Sequence, residues 1–402
     1  MEKFFNKKEN CYFCKNILSL SIDIMRIVFL YNSLAQFGGV ERVISDKMNY
    51  LVKNGYDIYM LTTDQGQHKP PYKLDSQIVF HDLGIRFHTQ YRHKGLMRLW
   101  AAIKLELKYR KKLKEFFRNI QPDIIVGLSP MDLHAVIRHK GNIPLIVESH
   151  LMCDSTKFNE KTSFFIKLHR NYIRKAYCQA DVLVALTEGD AKDWRKHTQN
   201  VIVIPNIVHL NNNNTYSNLN NRSVIFVGRL TTSKGIPYLL SIWEIVQQRH
   251  PDWSLNIYGE GPDINMLNNY IHNHHTQIII HQPSSNIMAC YKDSSILVMT
   301  SYFESFGLVL PEAMSCGLPV IAFDCPYGPH DIIEDGVNGY LIECYNIEKF
   351  ANSLSRLIED YDTRVKMGKE AIRSSQRYKV ETIMPQWETL YSDIYNLREL
   401  NK

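Results

Sequence analysis

Residues 226–235 read FVGRLTTSKG, and they overlap the end of a short apolar run at residues 223–227. A run of this length, bounded by turn residues, is typical of a strand that is buried on both faces. The amphipathic segment at residues 234–249 predicts a helix. Strand, turn and helix in this order begin a βαβ unit, so the stretch indicates a parallel sheet.

The same alternation of short apolar runs and amphipathic segments extends over most of the 402 residues. It is interrupted by an asparagine-rich segment without periodicity, which is typical of a linker. We therefore expect an α/β protein with two doubly wound domains. The predicted divisions are an extension at 1–24 that is disordered or precedes the natural start, a first domain at 25–205, a linker at 206–222, a second domain at 223–379 and a final helix at 380–402.

The composition is that of an ordinary globular protein, with 45% hydrophobic residues, 22% charged residues and a formal net charge of +6. No apolar stretch reaches eighteen residues, so a membrane-spanning helix is not expected. The eight cysteines are spread along the chain, as suits free thiols in a reducing compartment. Cys11 and Cys14 form a C-x-x-C pair, but no second pair accompanies them at zinc spacing, so no metal site is expected.

Two cations follow the strand predicted at residues 223–227. Ligands of doubly wound sheets bind at the carboxyl ends of strands, which is where Arg229 and Lys234 lie. A guanidinium offers a planar fork to phosphate oxygens and an ammonium offers a point charge, so the two side chains would stabilise a leaving diphosphate without a metal. The alternative is a pair of exposed surface cations. Gly228 and Gly235 on either side favour the phosphate role.

A second motif at residues 304–312 reads ESFGLVLPE and lies between a predicted strand and the helix that it opens. The free N–H groups of a helix start suit a phosphate, and Gly307 lets a ligand approach the backbone closely. The carboxylates of Glu304 and Glu312 can each accept two hydrogen bonds, from hydroxyls of a hexose and of a ribose respectively. The alternative is that Glu304 is a solvated loop residue and that Glu312 complements the helix dipole.

These two motifs and the GEGP turn at residues 259–262 resemble glycosyltransferase family 4, whose Glu-x7-Glu motif matches residues 304–312. The likeness covers about residues 25–395 and is strongest over 223–342. The resemblance implies the GT-B fold, in which two Rossmann-like domains face each other across a cleft. It also implies transfer of a sugar with retention of anomeric configuration and no metal or other cofactor.

The resemblance assigns roles to individual side chains. Arg229 and Lys234 would hold the diphosphate, Glu304 the donor sugar and Glu312 the ribose. The final helix would cross back to the N-terminal domain. The other positions that the resemblance places at the nucleotide sugar are Gly38, Gly39, Gly228, Ser285, Asn286, Ile287, Phe306, Gly307 and Leu308.

His150 follows another predicted strand, and in the family a histidine here lies near the transferred sugar. A hydrogen-bonded loop histidine is the alternative, and Glu148 is a competing candidate for the active-site role. Residues 324–329 read DCPYGP and resemble family members that use UDP-hexoses, which favours UDP over GDP. We see no second carboxylate nucleophile, so front-face displacement is the favoured route.

The segment 86–118 is strongly basic, with a local net charge of +9. Its cations are Arg86, Arg92, Lys94, Arg98, Lys104, Lys108, Arg110, Lys111, Lys112, Lys114 and Arg118. Apolar residues lie between them at helical spacing, which predicts an amphipathic helix on an anionic membrane surface. The alternative is that the apolar stripe belongs to the domain core. Nucleic acid is not expected as a partner, because no nucleic-acid motif accompanies the charge.

The sequence therefore predicts a hexosyltransferase that moves a sugar from a nucleoside-diphosphate sugar to a glycan or polyprenyl-linked acceptor in cell-surface polysaccharide synthesis. We expect it to be cytoplasmic and peripheral on the inner face of the cell membrane. Two alternatives remain open. One is a sugar-nucleotide epimerase or a phosphorylase on the same architecture, and the other is a non-catalytic subunit that binds a nucleotide sugar.

Overall fold

The computed structural model describes residues 24–128, 133–150, 153 and 164–400 and contains two α/β domains. The first domain has seven strands, paired in parallel in the order β3-β2-β1-β4-β5-β6-β7. They are β1 (Arg26–Tyr31), β2 (Asp57–Thr62), β3 (Val79–Asp82), β4 (Ile124–Gly127), β5 (Leu145–Ser149), β6 (Val182–Ala185) and β7 (Val201–Val203). The helices are α1 (Gly39–Lys53), α2 (Gly95–Ile120), α3 (Leu133–His139), α4 (Phe164–Tyr177) and α5 (Glu188–Trp194).

The strand β1 shows why the central strands are continuous apolar runs. Ile27 and Phe29 pack into one hydrophobic cluster with α1. Val28 and Leu30 point to the other face and pack into a second cluster with α2 and α3. Both faces of the sheet are therefore covered by helices, as expected for an all-parallel sheet.

The second domain has six parallel strands in the order β10-β9-β8-β11-β12-β13. They are β8 (Ser223–Val227), β9 (Ser254–Tyr258), β10 (Ile278–His281), β11 (Ile296–Met299), β12 (Val320–Phe323) and β13 (Gly339–Ile342). The helices are α6 (Ile236–Arg249), α7 (Ile264–Asn273), α8 (Ile287–Lys292), α9 (Val309–Ser315), α10 (Gly328–Ile332), α11 (Ile347–Glu359) and α12 (Tyr361–Ser375). Two doubly wound domains confirm the predicted fold class.

Several element bounds differ from the prediction. The strands β3 and β13 were not predicted, because each lies at a sheet edge and lacks a continuous buried run. The helix α6 begins at Ile236, after a 3-10 turn at Thr232–Lys234. The helix α9 begins at Val309, so Gly307 lies in the turn before the helix rather than in its opening residues.

The last helix, α13 (Val380–Leu400), packs on the first domain although it follows the second in the chain. Trp387 and Tyr391 lie in the same hydrophobic cluster as residues of β1 and α1. Arg398 Nη1 approaches Asp123 Oδ1 at 3.3 Å, just before β4. The helix thus completes one face of the first domain.

The residues between β7 and β8 carry no helix or strand, and the predicted linker lies within them. The predicted extension at 1–24 lies outside the described residues except for its last residue, and so do Cys11 and Cys14. In the part of the chain that the structure describes, no helix combines the length and apolarity needed to cross a bilayer. The same part holds no cluster of three or more histidine, cysteine or acidic side chains suited to a metal ion.

Candidate active site

The loop after β8 is shaped by the turn that follows β9. Gly228 N donates to Tyr258 O at 3.1 Å, and Leu230 N donates to Glu260 O at 2.7 Å. A Cβ on Gly259 would lie 1.9 Å from Gly228 O, so only glycine permits this approach. The GEGP turn therefore supports the backbone on which Arg229 is carried.

Lys234 is held against the loop that follows β11. Tyr302 N donates to Ser233 O at 2.9 Å, and the Thr300 hydroxyl donates to Lys234 O at 3.0 Å. Gly235 has a φ of 66°, and a Cβ there would lie 2.0 Å from Thr300 O. The strands β8 and β11 are neighbours in the sheet, so the loops at their carboxyl ends meet.

These loops bring two predicted site residues into direct contact. Lys234 Nζ donates to Glu304 Oε2, and the side chains remain 25% and 16% exposed. The sequence placed Lys234 at the diphosphate and Glu304 at the sugar, and their mutual ion pair was not predicted. An ammonium beside a carboxylate at an open edge can bind a phosphate oxygen and a hydroxyl at adjacent positions.

The backbone of Glu304 is fixed by the stretch that resembles UDP-hexose enzymes. Glu304 N donates to Pro326 O at 2.8 Å, while Tyr327 N and Gly328 N donate to Glu304 O at 2.7 and 2.9 Å. Phe306 is buried and packs edge-on against a tyrosine ring, with centroids 5.3 Å apart. Phe306 is thus a packing residue in this structure rather than an exposed one.

The turn before α9 meets the glycine loop of the first domain, which is the stretch GGVER at residues 38–42. Gly307 has a φ of 89°, a conformation that favours glycine. A Cβ on Gly39 would lie 2.7 Å from Leu308 Cδ1. Gly38 caps the start of α1 beside this contact. Four of the predicted positions therefore come together where the two domains touch.

Glu312 is buried in α9 and has one partner from each domain. Tyr291 of α8 donates its hydroxyl to Glu312 Oε2 at 3.2 Å, and Arg42 Nη1 of α1 lies 3.5 Å from Glu312 Oε1. Burial raises the pKa of Glu312 to about 7, although the charge of Arg42 and the hydrogen bond from Tyr291 both act to lower it. Neither partner was predicted from the sequence. Arg42 belongs to the glycine-loop motif, but its contact depends on how the domains meet.

The remaining predicted residues of the second domain line its edge. Arg229 is exposed, and its side chain makes no hydrogen bond or ion pair with another described residue. Ser285 and Asn286 are also exposed, just before α8. Ile287 is half-buried against the hydrophobic cluster that contains Phe306 and Leu310. The exposed groups are free to meet a ligand, whereas Ile287 supports α8 from inside.

His150 lies at the end of β5, with its side chain turned towards Glu148. Its Nε2 is 3.3 Å from Glu148 Oε2, a distance that suits an ion pair but without the alignment of a hydrogen bond. Glu148 also accepts two hydrogen bonds from Lys47 Nζ at 2.8 Å. Burial opposes the ionisation of Glu148, but Lys47 and His150 together outweigh it and lower the pKa of Glu148. Glu148 is therefore a buried structural anion, whereas Lys234 and Glu304 lie at the open edge of the second domain.

A second contact joins the domains near α5 and α10. The Tyr327 hydroxyl donates to Asp193 Oδ2, and Glu188 N donates to Asp331 Oδ2 at 2.6 Å. Tyr327 directly follows the residue whose carbonyl accepts from Glu304 N. The loop that holds Glu304 is therefore fastened to the opposite domain.

A polar cavity of about 750 Å³ lies in the first domain, near the carboxyl ends of β1, β2 and β3. Its lining includes Glu41, which precedes Arg42 and accepts a hydrogen bond from the Tyr31 hydroxyl at 3.2 Å. Arg86 also lines this cavity, and its Nη1 lies 3.0 Å from Asp82 Oδ2. One residue step along α1 therefore separates this cavity from the Glu312 contact.

Two family models match the chain, one for each domain. Residues 211–374 match the model for glycosyl transferases group 1, and residues 37–212 match the model for glycosyltransferase family 4. The chain is 30% identical to the amylovoran biosynthesis glycosyltransferase AmsD of Erwinia amylovora, over 91% of this chain and 99% of that protein. It is 28% identical to an uncharacterized glycosyltransferase of Haemophilus influenzae, over 90% of this chain and 99% of the relative.

Solved structures are similar over both domains. One is a mutant of S. aureus TarM in complex with fondaparinux, alpha-GlcNAc-glycerol and UDP. It superposes with a TM-score of 0.73 at 17% identity, and the match covers 91% of this chain and 100% of the TarM chain. Anabaena HepE in complex with UDP and glucose gives a TM-score of 0.67 at 20% identity, covering 92% and 100%. Both likenesses extend across the region where the domains meet.

Proposed function

The chain belongs to glycosyltransferase family 4 and has the GT-B fold, and from this premise we propose that it transfers a hexose from a UDP-sugar to a lipid-linked glycan, with retention of configuration. The observation that carries the proposal is the pairing of Lys234 with Glu304 at the open edge of the second domain. That edge presents a cation and a carboxylate side by side, as a sugar phosphate requires.

The donor would lie along the carboxyl ends of the strands of the second domain. Arg229 and Lys234 would hold the diphosphate, Glu304 would accept hydrogen bonds from hydroxyls of the hexose, and Glu312 would hold the ribose. Ser285 and Asn286 would border the base. The presence of UDP and glucose in the complex of the similar protein HepE supports a UDP-hexose as donor.

Retention would follow a front-face displacement. The bond between the anomeric carbon and the departing phosphate oxygen breaks, and a new bond to the acceptor oxygen forms on the same face. The proton of the acceptor hydroxyl passes to the phosphate oxygen that leaves. Arg229 and Lys234 stabilise the charge on that phosphate, which is the largest electrostatic change in the step. His150 is proposed to lie near the transferred sugar, a role that requires a rotation away from Glu148.

The acceptor would occupy the polar cavity of the first domain, which α1 places next to the donor side. A neighbouring apolar groove of about 610 Å³ runs along the start of α2, and Thr89 lines both. A polar cavity that continues into an apolar groove suits an acceptor with a sugar head and a lipid tail. The similarity to AmsD, an amylovoran biosynthesis enzyme, supports a role in cell-surface polysaccharide synthesis.

The helix α2 would carry the enzyme to the membrane. Its last turns are core, since Tyr109 and Leu113 are buried. Its first half is not, because Leu96 is 84% and Trp100 67% exposed among cations. An exposed apolar stripe bordered by positive charge fits the anionic cytoplasmic surface of a membrane, where each cation contributes about 1 kcal/mol. We therefore propose a peripheral position on the inner face.

The donor assignment is tested by binding and transfer. UDP- and GDP-sugars are screened by thermal shift, since a ligand that binds the folded state raises the melting temperature. Transfer of the selected sugar to lipid-linked glycans is then measured with Lys234→Ala and Glu304→Ala. We expect both variants to lose transfer by about 100-fold or more.

Glu348→Ala and Lys349→Ala are matched controls, because both residues are exposed on α11 of the same domain. These controls should keep full transfer. Undiminished transfer by the Lys234 and Glu304 variants would show that the site is wrongly assigned. Release of an epimerised sugar nucleotide without acceptor would instead indicate an epimerase, and donor binding without any turnover would indicate a non-catalytic subunit.

A further inference from the structure

Arg42 reaches from the first domain to a carboxylate of the second. Its Nη1 lies 3.5 Å from Glu312 Oε1, and the Glu312 side chain is only 9% exposed. The other oxygen of Glu312 accepts a hydrogen bond from Tyr291. Arg42, three residues after Gly39, thus supplies a cation to the residue proposed to hold the ribose.

The position of Arg42 is set by rigid surroundings. The next residues of α1, Val43 and Ile44, are buried in the core of the first domain. Gly39, one turn earlier, lets α1 approach Leu308 closely, since a Cβ there would lie 2.7 Å from Leu308 Cδ1. Arg42 can therefore reach Glu312 only when the two domains meet as they do here.

Other titratable groups surround this pair. Tyr72, Tyr291 and Cys316 face Glu312, and Asp46 and His209 face Arg42. Among the described residues, Arg42 is the cation that acts on the Glu312 carboxylate. Its removal would leave a buried acid with only a phenol as partner, and burial would favour the protonated form.

A protonated acid is a poorer anchor for a ribose than a carboxylate. The carboxylate accepts hydrogen bonds at both oxygens, whereas the acid must donate from one of them. Two adjacent ribose hydroxyls donate most favourably to a carboxylate. Whatever keeps Glu312 ionised therefore sets the affinity for the nucleoside.

We propose that Arg42 is a positioning residue for the donor, which holds Glu312 as an oriented carboxylate and so makes nucleoside recognition depend on contact between the domains. The inference rests on the proposed role of Glu312 at the ribose. Arg42 itself touches neither the sugar nor the phosphates in this scheme. It acts through Glu312, and the first domain thereby contributes to binding a ligand that lies on the second.

The test is calorimetry of UDP, 2′-deoxy-UDP and inorganic pyrophosphate between pH 6 and pH 9. In the wild type, UDP affinity should rise with pH as Glu312 ionises. Arg42→Met should weaken UDP binding about tenfold at pH 7 and move this rise to higher pH. It should also reduce the preference for UDP over 2′-deoxy-UDP and leave pyrophosphate binding unchanged. Arg42→Lys keeps the charge and should keep the wild-type pH profile.

Arg373→Met is the matched control, since Arg373 also pairs with a glutamate but is 79% exposed. The inference is overturned if Arg42→Met binds UDP like the wild type at every pH. It is also overturned if binding weakens equally at every pH or extends to pyrophosphate, because Arg42 would then act through packing or through the phosphates. A wild type that binds neither UDP nor GDP, or a Glu312→Gln variant that binds UDP undiminished, would instead refute the donor assignment.

Discussion

The Lys47–Glu148 pair of the first domain and the Lys234–Glu304 pair of the second share their chemistry and differ in their surroundings. Lys47 and Glu148 are 3% and 1% exposed, and Lys47 Nζ also lies 3.6 Å from the centre of the Trp387 ring. Lys234 and Glu304 are 25% and 16% exposed. A buried pair has all its partners inside the protein, whereas a pair at an open edge keeps capacity for a ligand.

The largest expected effect is on stability. Lys47→Met should cost about 3–5 kcal/mol of unfolding free energy, because it leaves Glu148 buried without its main counter-charge. The double variant Lys47→Met/Glu148→Leu should recover most of that loss, since two apolar side chains replace both charges. Lys234→Met should cost less than about 1 kcal/mol, as is usual for a partly exposed pair. Chemical denaturation measures the unfolding free energy of all three variants. Equal losses in Lys47→Met and Lys234→Met would contradict the difference drawn between the buried pair and the partly exposed pair.

The next effect is on transfer. The double variant Lys234→Glu/Glu304→Lys preserves an ion pair but exchanges the positions of the ammonium and the carboxylate, which are proposed to meet phosphate and sugar. If the pair only held the loops together, the reversal would restore activity. We expect instead that each single variant and the reversal all remain about 100-fold or more below the wild type in sugar transfer. Restored transfer in the double variant would assign the pair a structural role.

A smaller effect concerns how the stability of the protein depends on pH through the buried carboxylate of Glu312. The folded pKa of Glu312 is about 7, above its ordinary value of 4.5. The folded protein therefore binds this proton more tightly than the unfolded chain, so the contribution of Glu312 to stability falls as the pH rises from about 4.5 to about 7. In Glu312→Gln, the unfolding free energy should fall by at least about 1 kcal/mol less over this pH range than in the wild type. Denaturation of the ligand-free protein at a series of pH values measures it, and an unchanged slope in the variant would contradict the shift.

The smallest expected effect is on membrane binding by the exposed cations at the start of α2. Lys94→Gln, just before α2, and Lys104→Gln, in its exposed half, should each weaken binding to anionic vesicles by about 1 kcal/mol and leave the melting temperature unchanged. Lys349→Gln on α11 should leave vesicle binding unchanged. Sedimentation with phosphatidylglycerol-containing vesicles measures the partition. Equal binding to neutral and anionic vesicles would exclude charge as the cause.

The sequence predicted the central strands and the second-domain motifs because their signals are local. The run at residues 223–227 is short, largely apolar and bounded by turn residues, which is typical of a buried strand. The glycines around Lys234 revealed a loop with unusual backbone demands. The edge strands β3 and β13 carried no comparable run, because β3 has no fully buried residue and β13 is buried only at its two ends.

The contacts between distant residues could not be predicted in the same way. Lys234 and Glu304 meet because β8 and β11 are neighbours in the sheet, an order that no local pattern states. Arg42 and Glu312 meet because two separately folded domains dock at one place. The pattern of α2 is also ambiguous by itself, since the same helical period leaves Trp100 exposed and Leu113 buried.

The return of α13 to the first domain bears on how the protein is made. Trp387 and Tyr391 fill a face formed by β1 and α1, which emerge from the ribosome more than three hundred residues earlier. Until α13 follows, that face of the nascent domain exposes an apolar surface, which favours aggregation of an incomplete chain. The first domain to be synthesised is thus completed only after the second has been translated.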